Sequence, residues 1–210
     1  MKEIRYTLVT DGSSDKALMP ILNWLLQDIG VNYPIQGEWA DLRRLREPPK
    51  KLDERIRKSI ELYECNILFV HRDAEKKSHQ DRLKEIRAAE KLLVKSLTPI
   101  PIVCVIPIRM IESWLLCDEM AIRRAAGNPK GTEKLNLPKT SDIEKIADSK
   151  TMLKETLSKA GFPNKRRKKD DISNYRVAEM INDFQPLRSL SAFQELEKEL
   201  KSILMLHEWI

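Results

Sequence analysis

The sequence predicts an α/β fold in which helices flank a parallel β-sheet. Over residues 1–120, short apolar runs alternate with segments of helical periodicity. The apolar runs are rich in β-branched residues, as strands are. The helical segments between them are long enough to join parallel strands through right-handed crossovers. These three observations together indicate a parallel sheet.

Four segments are predicted as strands: Ile4–Thr10, Val31–Gln36, Ile67–Val70 and Ile100–Ile106. The first alternates between apolar and polar residues, and the second has the weakest pattern. The third is continuously apolar, which is typical of a strand buried on both faces.

Helices are predicted between and after these strands. Ser13 or Ser14 would cap the first helix, whose apolar face consists of Leu18, Leu22, Leu25, Leu26 and Ile29. Further helices are predicted at Leu52–Tyr63, at Gln80–Leu97 and from near Arg109. After Asp118 the remaining periodic segments favour helix or loop: Ala121–Ala126, Asp142–Ala147, Met152–Ala160, Asn174–Phe184 and Leu190–Ile203. We therefore expect an α/β domain at 1–120 and, at 121–210, a helical extension packed on it as a cap.

Composition narrows the class of protein. Apolar residues make up 41% of the chain, which is enough for a packed core. No apolar run approaches the roughly 20 residues of a membrane span, so we expect no membrane partner. Three cysteines without CxxC spacing (Cys65, Cys104 and Cys117) predict reduced thiols and a cytoplasmic location. The net charge of +6 is compatible with nucleic-acid binding without requiring it.

Acidic residues follow three of the predicted strands: Asp11 and Asp15, then Asp73 and Glu75, then Glu112 and Asp118. The carboxyl ends of parallel strands meet at one edge of a sheet, where sites form. Carboxylate oxygens suit Mg²⁺, and crowded carboxylates would repel one another without a cation. The sequence therefore predicts a Mg²⁺ or Mn²⁺ site at this edge.

Simpler interpretations stay open for several of these residues. Asp11 could be a helix cap without any role in metal binding, and Asp73 with Glu75 could belong to an ordinary loop. Glu112 follows Ile111 in an apolar stretch, so its carboxylate needs a partner. His71 could be a general base or a strand-end histidine bonded to a neighbour.

Basic residues supply candidate nucleic-acid contacts. Arg72 and Arg109 lie on the predicted acidic edge, where they could neutralise phosphate or balance the carboxylates. A dense basic run could contact phosphate or form a solvated loop: Lys165, Arg166, Arg167, Lys168 and Lys169. Arg43, Arg44, Arg46, Lys50 and Lys51 form a second basic patch.

Neither the tryptophans nor known phosphate motifs add a site. Trp24, Trp39, Trp114 and Trp209 favour core or cap positions, since none lies in a basic–aromatic alternation. The sequence contains no P-loop motif, so we expect no ATPase activity of its own.

The acidic segments resemble the motifs of the TOPRIM family. LVTDGSSDKALMPIL resembles the first motif, a strand that ends in an acidic residue and glycine, and ILFVHRDAE resembles the second. IRMIESWLLCD, YRVAEMI and LSAFQELEKEL resemble segments of small TOPRIM-like proteins of unknown function that are related to the OLD nucleases. The resemblance implies a TOPRIM/Rossmann-like sheet.

Residue by residue, the resemblance places Asp11 where the family has a glutamate for metal binding or acid–base work. Asp73 and Glu75 take the positions of its metal-binding aspartate pair, and Glu112 that of an additional acidic ligand. Asp11 is one methylene shorter than the usual glutamate, and Glu75 is longer than the usual aspartate. Metal binding tolerates such changes better than acid–base geometry does.

Two functions follow as expectations. The first is a Mg²⁺-dependent, nuclease-type enzyme that cleaves phosphodiester bonds in nucleic acid. By family analogy it would act in bacterial defence beside a partner ATPase. The second is a catalytically silent TOPRIM-like module that binds nucleic acid or a protein partner. The altered Asp11 and Glu75 favour the second.

Overall fold

The computed structural model describes residues 3–93, 100–162 and 173–210. Its centre is a four-stranded sheet in the order β2-β1-β3-β4, in which every pairing is parallel. The strands are β1 (Ile4–Val9), β2 (Ile35–Trp39), β3 (Ile67–His71) and β4 (Ile102–Val105). The predicted parallel α/β architecture is thus confirmed, and it is consistent with a Rossmann-like fold.

Seven α-helices are described around the sheet. The first three connect the strands: α1 (Leu18–Ile29), α2 (Leu52–Leu62) and α3 (His79–Leu93). The others follow β4: α4 (Glu119–Ala125), α5 (Ser149–Ala160), α6 (Asn174–Met180) and α7 (Ser191–Leu206). Short 3₁₀ helices lie between them, including Ser14–Ala17 before α1 and Ile111–Cys117 before α4.

The strands bury residues on both faces of the sheet. Tyr6, Phe69 and Val105 face one apolar cluster, which also contains residues of α1 and of α4 to α7. Val70 and Cys104 face a second cluster, which contains residues of α2 and α3. The helices after β4 therefore share a hydrophobic core with the sheet. Among the described residues no helix has the length and apolar content needed to cross a bilayer.

The second strand begins later than its sequence pattern predicts. Gly30 has φ 105°, a left-handed conformation that ends α1, and the Val31 N–H closes the helix on the Leu26 carbonyl at 3.2 Å. Val31 therefore completes a helix end, and the residues paired with β1 start at Ile35, after the Pro34 carbonyl, which accepts from the Ile4 N–H at 2.8 Å. The helix predicted from near Arg109 is instead a 3₁₀ helix from Ile111 followed by α4, which Asp118 caps through the Ala121 N–H.

The outer edge of β4 is covered by side chains. The Cys104 N–H donates to Oε1 of Glu199 on α7 at 3.3 Å. The Ile102 carbonyl accepts from Nη1 of Arg87 on α3 at 3.2 Å. Arg87 and Glu199 also form an ion pair with each other. Backbone groups that a neighbouring strand would otherwise bond are satisfied by this pair.

Candidate metal centre

The sheet order sets where a site can form. From β1 the chain crosses to β2 on one side, and from β3 it crosses to β4 on the other. The crevice outside the carboxyl ends of β1 and β3 is therefore the topological switch point, where open α/β sheets bind ligands. Asp15 follows β1, His71 ends β3, and Asp73 lies two residues further on.

These three side chains converge. Nε2 of His71 lies 3.4 Å from Oδ1 of Asp73 and 3.7 Å from Oδ2 of Asp15. One ligand atom from each side chain lies within 4.8 Å of the others. The side chains of His71 and Asp15 are buried, and that of Asp73 is 21% exposed. One imidazole nitrogen and two carboxylates at these distances could hold a metal ion.

The orientation of His71 supports that interpretation. Its Nδ1 lies 3.0 Å from the Val105 carbonyl oxygen, which can only accept, so Nδ1 carries the hydrogen. The other ring nitrogen, Nε2, lies between the two carboxylates. That nitrogen is buried and has no hydrogen-bond partner among the described residues. Metal-binding histidines donate their other N–H to a backbone carbonyl in the same way.

Backbone and hydroxyl groups hold the two aspartates in place. The Gly12 N–H donates to Oδ2 of Asp15 at 2.7 Å, and the Ser14 hydroxyl donates to its Oδ1 at 3.0 Å. The Ile111 N–H donates to Oδ1 of Asp73 at 3.0 Å. Because these donors come from the loops after β1 and β4, the three strand ends fix one another.

The electrostatics of the group call for a cation. Burial raises the pKa of Asp73 to about 6 from an ordinary value of 3.8. His71 opposes that rise, while the negative charges of Asp15 and Glu112 reinforce it. A divalent cation at this point would offset the repulsion that the carboxylates exert on one another.

Glu112 lies beside this group. It is 4% exposed, in the 3₁₀ helix Ile111–Cys117, and it affects the pKa of Asp73. Nδ2 of Asn174 on α6 donates to its Oε1 at 3.0 Å, which provides the partner that a buried carboxylate requires. Glu112 is not one of the three side chains whose ligand atoms meet.

The structure places the other predicted acidic residues in ion pairs. Asp11 binds two arginines, with Oδ1 2.6 Å from Nη1 of Arg55 and Oδ2 2.7 Å from Nε of Arg72. Glu75 has φ 53° and a side chain 58% exposed, and its Oε2 lies 3.1 Å from Nη2 of Arg82. Neither carboxylate lies among the three converging ligands.

The structure describes two of the basic residues that were predicted to contact nucleic acid, Arg72 and Arg109. Arg72 lies on the same edge, between Asp11 and Glu85, which is 3.7 Å away. Arg109, with φ 68°, donates from Nη1 to the Glu75 carbonyl at 3.3 Å. Lys165, Arg166, Arg167, Lys168 and Lys169 lie outside the described residues.

Sequence reasoning did not select Asp15 and His71 as metal ligands. Asp15 lies near a predicted helix start, where aspartate is common as a cap, so its position did not indicate a metal ligand. His71 was interpreted as one of two things, a general base or an ordinary strand-end residue. A titratable side chain at the end of a strand that is buried on both faces is itself an indication of a functional site. The function of the group has to be argued from its chemistry, since comparison with known proteins found no matching family model, curated protein or solved structure.

Proposed function

We propose that this chain is a TOPRIM-like, metal-dependent enzyme of the nuclease type, which cleaves phosphodiester bonds in nucleic acid. One observation carries the proposal: the buried, unpartnered Nε2 of His71 between the carboxylates of Asp15 and Asp73. A divalent ion bound there would neutralise phosphate charge and activate water for attack.

The donor set favours Mn²⁺ over Mg²⁺. Mg²⁺ prefers oxygen ligands and keeps much of its water. An imidazole nitrogen suits transition metals, and among these Mn²⁺ is the one that also prefers carboxylate and water oxygens. His71 therefore shifts the preference away from an all-oxygen site. We infer that the protein works with Mn²⁺ and binds Mg²⁺ more weakly.

Glu112 is the side chain best placed to handle a proton. Asn174 fixes one of its oxygens, and no other hydrogen bond to Glu112 is present among the described residues. It lies close enough to Asp73 to affect the pKa of that residue. A buried carboxylate held in this way could orient an attacking water and accept its proton.

Arginines on the same edge would hold the phosphate. Arg72 lies between His71 and Asp73 in the sequence and so borders the site. Arg55 and Arg72 both form ion pairs with Asp11. Guanidinium groups bind phosphate oxygens through paired N–H donors. Because Asp11 already orients both arginines, phosphate could approach them without further side-chain ordering.

A second function is favoured by one observation. Asp11 and Glu75, to which the family resemblance gives catalytic roles, are engaged by arginines. The chain would then be a catalytically silent TOPRIM-like module that binds nucleic acid or a protein partner, such as the ATPase that the resemblance implies.

The two functions are separated by cleavage assays on labelled single- and double-stranded DNA and RNA with Mn²⁺ or Mg²⁺. The wild type should cut with Mn²⁺, and Asp73→Asn and EDTA should abolish cutting. Asp142→Asn, at an exposed aspartate paired with Lys145, is the matched control and should cut like the wild type. If the wild type binds Mn²⁺ in a direct titration but cuts no substrate, the binding module is the better description.

A further inference from the structure

A cleft opens beside the candidate metal centre, at the carboxyl ends of β1 and β2 and the start of α2. It has a volume of about 160 Å³, and its lining includes Gly12, Trp39, Arg43, Lys50 and Arg55. We call it the Trp39 cleft. We propose that it binds one unpaired nucleotide of a nucleic-acid strand, with the base against Trp39 and a phosphate against Arg43 and Lys50. The inference rests on the proposed function and deepens it by naming the substrate as single-stranded.

The cleft and the candidate metal centre share a wall. Gly12 lines the cleft, and its N–H donates to Oδ2 of Asp15 at 2.7 Å. Asp11, the residue before it, also lines the cleft, and its partner Arg72 immediately follows His71. A strand whose phosphate lay at the metal centre would therefore reach the Trp39 cleft with its neighbouring nucleotide.

The charge of the cleft suits a polyanion. Arg43 and Arg44 each pair with Asp41, at 3.0 and 2.9 Å, so this carboxylate is matched by two cations. Asp11 is matched in the same way by the two arginines described above. Lys50 has no carboxylate partner among the described residues and adds a further positive charge to the lining. The basic patch seen in the sequence thus contributes residues to this cleft.

Trp39 is held in a defined orientation. The sequence favours a core or cap position for it. The side chain is partly buried against the larger core cluster, and it also lines the cleft. Its Nε1–H donates to the Thr10 hydroxyl at 3.0 Å, which fixes the ring. The guanidinium of Arg43 lies over the ring, 5.4 Å from its centroid, and the ammonium of Lys16 lies over it at 5.9 Å. A base that stacks on the indole would displace the Arg43 guanidinium from the ring towards the phosphate. An indole bordered by cations provides stacking and charge together, as single-strand binding sites do.

The size of the cleft limits what it can accept. At about 160 Å³ it is smaller than the roughly 300 Å³ at which sites for drug-sized ligands begin. It accommodates part of one nucleotide and excludes a base pair. Stacking on Trp39 also requires a base that is free of its partner strand, so duplex should bind less tightly than a single strand.

The test measures binding without cleavage. Fluorescence anisotropy in EDTA, with short labelled oligonucleotides as single strand and as duplex, gives affinities that do not depend on the metal. Trp39→Ala should weaken single-strand binding by about 5- to 100-fold, the range that stacking of one base supplies. Trp39→Phe keeps a ring and should recover most of that loss.

A charge variant gives an independent readout. In Arg43→Gln/Lys50→Gln, the slope of log affinity against log salt should decrease by about 0.7, because both residues contact the same phosphate and one lost single-strand phosphate contact contributes about 0.7. Lys130→Gln/Lys134→Gln removes the same charge from two exposed residues elsewhere and should leave the slope unchanged. Melting temperatures of all variants show whether each one is folded.

Four results would overturn the inference: wild type that binds no oligonucleotide, duplex bound as tightly as single strand, Trp39→Ala with wild-type affinity, or a slope unchanged in the charge variant. The outcome is separate from that of the proposed function. If the protein binds single strands through the cleft but never cuts with Mn²⁺, the binding site is supported and the proposed enzyme activity is contradicted. If the wild type cuts with Mn²⁺ but both cleft variants bind single strands as tightly as it does, the enzyme activity is supported and the binding site is contradicted.

Discussion

Nε2 of His71 lies 3.4 Å from Oδ1 of Asp73, yet no described residue completes a hydrogen bond to that nitrogen. The Val105 carbonyl already takes the hydrogen of Nδ1. Two carboxylates buried around an imidazole nitrogen repel one another unless a positive charge lies among them, and a bound cation would supply that charge. This relationship is the basis of the metal-binding predictions.

Replacement of His71 should remove Mn²⁺ binding. In the wild type, Mn²⁺ at about 100 times its Kd should stabilise the fold by about 2.7 kcal/mol, because the ion binds the native state alone. His71→Gln loses the imidazole ligand and should bind Mn²⁺ at least about tenfold more weakly. Titration calorimetry and urea unfolding with and without Mn²⁺ measure both quantities. Equal stabilisation of the two proteins would contradict the site.

Asp73→Asn should stabilise the metal-free protein at neutral pH. The native pKa of Asp73 is raised from 3.8 to about 6, so the native state holds this proton more tightly than the unfolded chain does. Stability contributed by that proton is present below about pH 4 and is lost as pH rises through 6. In EDTA at pH 7, asparagine should therefore increase the free energy of unfolding by up to about 3 kcal/mol.

Urea unfolding of Asp73→Asn and wild type in EDTA from pH 4 to pH 7 checks the sign. The advantage of the variant should shrink towards zero at the acid end, where the wild-type carboxyl is protonated in both states. A wild type that is more stable than the variant at pH 7 without metal would show that Asp73 is not held in a repulsive site.

The geometry of the site and the family resemblance lead to different expectations for Glu75. The resemblance makes Glu75 a metal ligand, but its side chain is 58% exposed and contacts Arg82. We expect Glu75→Gln to change Mn²⁺ affinity by less than about threefold, because exposed ion pairs contribute little. Calorimetry beside Asp73→Asn makes the comparison. A loss of affinity as large as that of Asp73→Asn would place Glu75 in the metal site.

Asn174→Ala should affect turnover without affecting the metal. It removes the hydrogen bond that positions Glu112, while the three converging ligands remain. We expect kcat with Mn²⁺ to fall by about 10- to 100-fold at unchanged Mn²⁺ affinity. This is less than the roughly 100- to 10,000-fold that general acid–base catalysis contributes, because Glu112 itself remains. Asn182→Ala, at an exposed asparagine after the same helix, is the control. A fall in Mn²⁺ affinity would instead give Asn174 a structural role at the metal.

The strands were the most predictable part of the fold, because apolar runs such as Ile67–Val70 record burial on both faces of a sheet. The start of β2 was not, because Gly30 ends α1 in a left-handed conformation and the apolar pattern of 31–36 does not record this local helix end. The acidic edge could likewise be predicted from three strand ends. Which carboxylates meet there could not, because the sequence does not show that Arg55 pairs with Asp11 and Arg82 with Glu75.

The covered edge of β4 restricts how this protein can associate with others. Strand addition needs free N–H and C=O groups, and on this edge Glu199 and Arg87 occupy groups of Cys104 and Ile102. A peptide or another copy of the chain would have to displace these two side chains in order to pair with β4. The other edge strand of the sheet is β2, which borders the Trp39 cleft, so a strand added there would also narrow the approach to that cleft.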